Sequence, residues 1–392
     1  MKLRRLFLLG SLGLALSGCV SSKPTRTAWT PTGDAVSDGK AAIANGPAKD
    51  KVWWQYRTAL AALRRGDTAE ARSLLDDALL TLGSISSGDK EARKSRGYFQ
   101  EESRKVFRGE PYERAMANYY RGILYWMDGE PDNARACFRN GQFQDGDVVN
   151  KEYAGDFVLL DYLDGLVTTK LAGDGSDMLK RAQSSFKSGT LQPYDSKANV
   201  LFFVEFGKGP TKYATGDYGE ELRFRTVPSA VRSARLKIGE QIISMAPYDD
   251  LNFQATTRGG RVMDHVLANK AVFKTATDAV GTAALVSGIV VAQNRNTREV
   301  GLGLVAAGLL GKIISSATTP AADTRCWESL PQYLSFAAVA LPAGQQMVTV
   351  EFLDSVGMII PRLTKTVTLN VSLSARETVV FVSDHSQTSK PL

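Results

Sequence analysis

YERAMANYYRGILYWMDGEPDNARACFRNG, residues 112–141, decides how the first half of this 392-residue chain is built. Tyr119, Gly122 and Tyr125 recur at helical spacing. Gly129-Glu130-Pro131-Asp132 interrupts them, with Pro131 suited to the first turn of a new helix. Ala134, Phe138 and Gly141 then resume the helical period. Small residues on facing helices let the backbones approach, and large ones fill the seam, so the stretch predicts a helical hairpin.

Two further stretches share the pattern. Upstream, Trp54, Ala59, Ala62 and Leu63 precede Gly66-Asp67, and Ala71, Leu75 and Ala78 follow. Downstream, Gly165 is followed by an insertion at Gly173-Asp174-Gly175 and then by Ala182, Phe186 and Gly189. These offsets match a tetratricopeptide (TPR) unit. Gly66 and Gly129 are 63 positions apart, however, and a TPR repeats about every 34. An extra helical stretch, about residues 89–110, is therefore expected between the first two units. Residues 51–195 read as a degenerate TPR-like domain, with a generic α-helical bundle of similar turns as the alternative. Tyr112, Tyr119, Tyr120, Tyr125 and Trp126 are open to two readings: helix core, or the lining of a concave groove that binds a protein partner.

Near Asn199 the apolar period changes from 3.6 to 2. VLFFVEFG (200–207) reads as a buried strand and ARLKI (234–238) alternates; LSFAAVAL (334–341), QMVTVEFL (346–353), TKTVTLNVSL (364–373) and ETVVFVSD (377–384) follow. The expected fold is α+β and multidomain: a TPR-like helical domain, then an antiparallel β-sandwich-like domain in two parts, 196–248 and 326–384, and a tail at 385–392. Residues 249–325 are expected as a helical insertion. Within it, AVGTAALVSGIVVA (279–292) and VGLGLVAAGLLGKIISSA (300–317) carry small residues every four positions: Ala284, Gly288, Ala292 and Gly303, Ala307, Gly311. That spacing lets two helices pack closely. Each arm falls short of the roughly 20 residues needed to span a bilayer. Three readings of this hairpin stay open: buried core, an interface that makes a homo-oligomer, and a membrane contact.

The chain begins MKLRRLFLLGSLGLALSGC (1–19). Lys2, Arg4 and Arg5 precede an apolar run of signal-peptide length, which closes on Leu16-Ser17-Gly18-Cys19. This resembles a bacterial lipobox and implies removal of residues 1–18 and lipidation of Cys19; an ordinary secretory signal that contains a cysteine is the alternative. Lipid on Cys19 places the chain on a membrane surface facing the periplasm. Val20, where Asp would imply retention in the inner membrane, favours the outer membrane. Residues 19–50, rich in Ser, Thr, Pro and Gly, read as a flexible tether. Cys137 and Cys326 remain, either as a disulfide in an oxidising compartment or as two separate buried thiols. The formal charge is +7, of which the leader's three basic residues account for three, leaving +4. No dense Lys/Arg run follows, so nucleic acid is not an expected partner.

No catalytic constellation emerges. The two histidines, His265 and His385, are too few for a His-based triad or zinc site. Gly207-Lys208-Gly209-Pro210-Thr211-Lys212 has the wrong spacing for a phosphate loop and reads as a strand-end turn. The expectation is a non-enzymatic chain with no metal or cofactor. Trp327, beside Arg325 and Cys326, reads as a packing anchor between the helical insertion and the second β part. RGEPYERAMANYYRGILYWMDGEPDNAR (108–135), ADTRCWESLP (322–331) and LPAG (341–344) resemble a group of bacterial outer-membrane lipoproteins with TPR-like repeats, a Gly/Ala-rich apolar segment and a β-rich end. The resemblance carries no activity. The expected role is an envelope scaffold or adaptor, with an oligomer-forming or membrane-associating component acting through 279–317 as the alternative.

Overall fold

A computed structural model describes residues 30–87, 105–147, 153–257, 322–372 and 376–386. Helix α4 (Pro111–Met127) is its centre. Pro111 occupies the first turn, and Glu110 and Glu113 form a reciprocal capping box that satisfies backbone donors at the helix start. The helix stops before Gly129, which takes the left-handed conformation at φ 79°. Helix α5 (Pro131–Asp145) then folds back on α4. The close crossing needs Gly122, since a Cβ there would lie 2.4 Å from the Phe138 ring.

Helices α2 (Lys51–Arg65) and α3 (Thr68–Ser87) form a second hairpin about Gly66, and α6 (Val158–Lys170) and α7 (Ser176–Ser185) a third. The hairpins pack in chain order, through α3 on α4 and α5 on α6. Ahead of them, α1 (Ala35–Asn45) is capped by Asp34 and packs on α2 through Val36, Gly39 and Ala42. The expected tether of 19–50 is thus folded over its second half, because Val36 and Ala42 offer apolar surface that α2 can cover. Of the extra helix expected about 89–110, residues 105–110 are irregular; the rest of it lies outside the described residues.

One sheet has the order β10-β1-β7-β6: β1 (Val200–Phe206), β6 (Asp249–Asp250), β7 (Tyr333–Val339) and β10 (Thr378–Ser383). The other has the order β5-β4-β8-β9: β4 (Ser233–Ile238), β5 (Gln241–Met245), β8 (Gly344–Leu353) and β9 (Lys365–Val371). A separate hairpin, β2 (Thr211–Thr215) and β3 (Glu221–Arg225), is where no strand was expected. The expected antiparallel arrangement holds except at one pair: β1 runs parallel to β10. A strand-to-strand return separated by most of the second half of the chain permits it.

All seven residues of β1 are buried. Val200, Phe202, Val204 and Phe206 meet Leu236, Val348, Val350 and Phe352 of the second sheet. Leu201 and Phe203 join Phe336, Val379 and Phe381 in a core shared with the helices. The molecule is a mixed α+β structure in three layers: helices, the β1 sheet, the β4 sheet. The expected division at residue 195 is a division of the chain and not of the core. Asp249 and Leu251 are buried too, so β6 and the short α8 (Leu251–Thr256) belong to the body of the structure and not to the insertion expected from 249. Among the described residues no helix is long and apolar enough to cross a membrane.

Candidate functional site

The seam between α4 and the β1 sheet gathers the aromatic residues singled out in the sequence. Tyr112, Tyr119, Tyr120 and Trp126 are at most 2% exposed; Tyr125 is half-buried under the Arg121 guanidinium. Tyr119 and Trp126 each meet Phe203 at 6.2 Å, and Tyr120 meets Phe381 at 6.1 Å. Edge-on rings at this separation add to simple burial. Tyr112 instead meets Phe224 of the β2–β3 hairpin at 6.1 Å. The groove reading therefore fails for these four: the surface they line is filled by the chain's own β structure. Cys19 and the six small residues Ala284, Gly288, Ala292, Gly303, Ala307 and Gly311 lie outside the described residues.

Burying α4 forces its polar side chains into pairs, since an unpaired buried charge is costly. Arg114 donates to Gln144 at 2.8 Å, to the Gly109 carbonyl at 2.9 Å and to Asp147 at 2.6 Å. Arg121 pairs with Asp76 at 2.6 Å. Two deeper centres join α4 to the β structure. In the first, Lys212 Nζ on β2 lies 2.8 Å from Glu113 Oε2 and 3.2 Å from Glu110 Oε1 and donates to the Arg325 carbonyl at 3.0 Å. All three side chains are within 2% of complete burial. Glu113 Oε1 accepts the Trp327 backbone N–H at 2.6 Å. Arg325 extends the centre to Asp50 at 2.7 Å, Asp323 at 2.6 Å and the carbonyls of Lys49 and Lys105.

In the second centre, Glu205 stands alone among apolar residues on β1 and faces the helices. Arg64 approaches its Oε1 at 2.6 Å and Tyr120 donates to its Oε2 at 2.5 Å. Burial, and then the Glu205 charge, raise the Tyr120 hydroxyl well above its ordinary range. It is a committed donor, so the set is a neutral phenol, a carboxylate and a guanidinium. Each carboxylate in both centres already has a cation, and each cation an acceptor. The arrangement braces helices against sheet.

Trp327 is fully buried, but it packs against the first helices rather than the expected insertion: it stacks on Tyr56 of α2 at 4.6 Å and meets Tyr120 of α4 at 5.8 Å. Cys326 is buried and Cys137 half-buried, and both are free thiols. Burial pushes the Cys326 thiol up to about 12 and the Cys137 thiol up to about 11, so neither is a ready thiolate. Residues 207–210 lead from β1 into β2, with Gly207 at φ 80°, and Thr211 and Lys212 already belong to β2. His385 is exposed beside Asp384 at 3.7 Å; His265 lies outside the described residues. Among the described residues, no cluster of His, Cys, Asp or Glu could hold a metal ion.

One link was invisible in the sequence. Asp249 accepts the N–H groups of Val158 and Leu159, both at 2.9 Å, and so caps α6 from some ninety residues away. Burial raises its carboxyl to about 7, against the lowering effect of those two hydrogen bonds. Glu205 and Lys212 were also missed. Glu205 left a signal, a lone charge inside VLFFVEF. Lys212 left none, because its turn reads as solvated. Comparison with protein-family models, curated proteins and solved structures finds no match to this chain.

Proposed function

We propose that this chain is a lipid-anchored, non-enzymatic scaffold of the bacterial cell envelope, whose TPR-like hairpins bind a protein partner. The observation that carries the reading is the commitment of its buried chemistry to internal braces. Lys212, Glu110, Glu113, Arg64 and Glu205 hold one another. Such a body suits presentation of a fixed surface. The leader and Cys19 supply the attachment.

The partner surface moves from the filled seam to the outer helices. The first helices of the hairpins, α2, α4 and α6, touch the β1 sheet. The second helices carry the exposed apolar residues: Leu80 on α3 is 73% exposed and Phe143 on α5 is 76% exposed. Large apolar side chains on an otherwise charged helix face are the usual anchors of a protein contact.

Two measurements test the proposal. Mass spectrometry of the protein purified from bacterial membranes is expected to find a diacylated or triacylated N-terminal Cys19, and none in Cys19→Ser. A photo-crosslinking residue at position 80 or 143 is expected to give one reproducible adduct in living cells. Loss of that adduct in the variant that keeps one site and carries Ser at the other supports a shared surface. No adduct at either position refutes the adaptor role.

A further inference from the structure

Three exposed apolar residues fall within four positions of one another, on the loop that follows β8. Val356 is 78% exposed, Met358 65% and Ile359 36%. The loop is held open by its own hydrogen bonds. Asp354 Oδ1 accepts the N–H groups of both Val356 and Met358 at 2.9 Å, and the Asp354 N–H donates to the Met358 carbonyl at 2.9 Å. Gly357 turns the chain at φ 81°, and Ile359 bridges back to Leu353. Apolar side chains that could fold inward on a slack loop are here held in solvent by a hydrogen-bonded turn. An exposed apolar turn at the end of a sheet suits entry into a soft apolar phase.

The surroundings are basic. β4 begins where β8 ends, since Ser233 pairs with Leu353. This brings Arg232, and the exposed Val227 (45%) before it, to the same end of the two-sheet stack. Arg232 donates to Tyr333 Oη at the start of β7, and β7 starts opposite the end of β1, so Lys208 emerges there too. Arg362 follows the tip and Lys365 opens β9. Among the described residues Lys208, Arg232, Arg362 and Lys365 form no ion pair. Three acids share this end and none of them pairs with these cations: Asp354 accepts from its own loop, Asp384 from the Gly207 N–H, and Asp250 from Asn252 and Gln332.

We infer that the tip Val356–Ile359, with Arg362, Lys365, Lys208 and Arg232 around it, inserts into the interface of an anionic lipid bilayer. Apolar residues enter the headgroup–acyl boundary while the cations meet lipid phosphates. The inference rests on the envelope reading only in placing a bilayer within reach. Its effect is to give the chain a second membrane contact, which sets the orientation of the outer helices relative to the lipid surface.

The test uses the full-length protein with Cys137→Ala and a single new thiol, either Met358→Cys at the tip or Glu240→Cys in the β4–β5 turn at the opposite end, labelled with the environment-sensitive dye NBD. The vesicles are phosphatidylcholine with or without phosphatidylglycerol. Dye at 358 is expected to shift to the blue with anionic vesicles and to be quenched by acyl-chain-brominated lipid, while dye at 240 does neither. Arg362→Ala is expected to lower the inserted-to-free ratio of the tip about fivefold. An unshifted dye at 358, or equal shifts in neutral and anionic vesicles, overturns the inference. So does a blue shift already present without vesicles, since the tip is then covered by protein. Mass spectrometry of Cys19 reports separately on the anchor, so failure of the tip and failure of the envelope reading are told apart.

Discussion

Replacing Lys212 by Met is expected to cost more stability than any surface change in the molecule. Met keeps nearly the length and volume of the lysine stem, so the substitution opens little cavity and isolates the charge. Lys212 Nζ lies 2.8 Å and 3.2 Å from two carboxylates whose side chains are 0% and 2% exposed. Its loss leaves Glu110 and Glu113 facing each other without their shared cation. Removing one member of a buried ionic group costs about 3–5 kcal/mol, most of it the penalty of the charge left behind. At a urea slope of about 2 kcal/mol per M, the unfolding midpoint falls by about 2 M. Circular dichroism at 222 nm during urea titration reads this directly. Adding Glu110→Gln to Lys212→Met removes one of the stranded charges. The double variant is expected to recover at least ~1 kcal/mol, a coupling a purely steric effect does not produce. A stability loss under about 1 kcal/mol for the single variant, at unchanged slope, or no recovery in the double, refutes a desolvated ionic brace at this position.

Other outcomes follow from the same geometry. The Asp249 carboxyl sits at about 7 in the folded chain against 3.8 for its ordinary value, so the folded state holds a proton that the unfolded state releases. Its contribution to stability is complete below pH 4 and is lost as pH rises through 7, by about 4 kcal/mol at 1.36 kcal/mol per unit. Asp249→Asn is expected to flatten the stability–pH curve over that window relative to the parent; an unchanged slope in thermal melts from pH 4 to 8 contradicts the assignment. Gly122→Ala places a Cβ 2.4 Å from the Phe138 ring and is expected to cost about 1–3 kcal/mol by overpacking, with partial rescue by Phe138→Leu in a double-variant cycle. Leu80→Ser and Phe143→Ser are expected to leave the melting temperature within about 2 °C of the parent, because both side chains are exposed; a larger drop in calorimetry makes them core and removes them from any partner surface.

The elements were legible where one local period dominated. Residues 112–141 gave α4, the Gly129 turn and α5 because the Gly and Pro punctuation coincides with the change of helix. Strands β7 to β10 were legible from alternation, within a few residues at each end. The hairpin β2–β3 was not: TKYAT and ELRFR are short, half-exposed and charged, so no apolar period marks them. Helix α1 was lost in a stretch whose composition is that of a linker, since only Val36, Gly39 and Ala42 are buried. The braces were illegible for a different reason. Lys212 with Glu113, and Asp249 with the start of α6, pair residues about ninety to a hundred positions apart, and no local pattern encodes which distant charge will answer another.

The burial of the α4 aromatics was nevertheless implied by a strand far from them. VLFFVEF does not alternate: Leu201 and Phe203 are as apolar as Phe202 and Val204. A strand apolar on both parities needs cover on both faces, and the sheet β5-β4-β8-β9 can cover only one. The inner side of the helical hairpins, with Tyr119, Tyr120, Ile123 and Trp126 on it, is an apolar surface that needs cover in turn. The two surfaces are complements, and an open groove on α4 would have left Leu201 and Phe203 in water. Glu205 carries the same logic into electrostatics. It shares the parity of Leu201 and Phe203, so it must enter the seam, and a carboxylate there survives only with a cation and a donor from the helices. Arg64 and Tyr120 supply them. The charge in β1 fixes where along α2 and α4 the sheet can sit, and the register of helices on sheet follows from one residue that cannot be buried anywhere else.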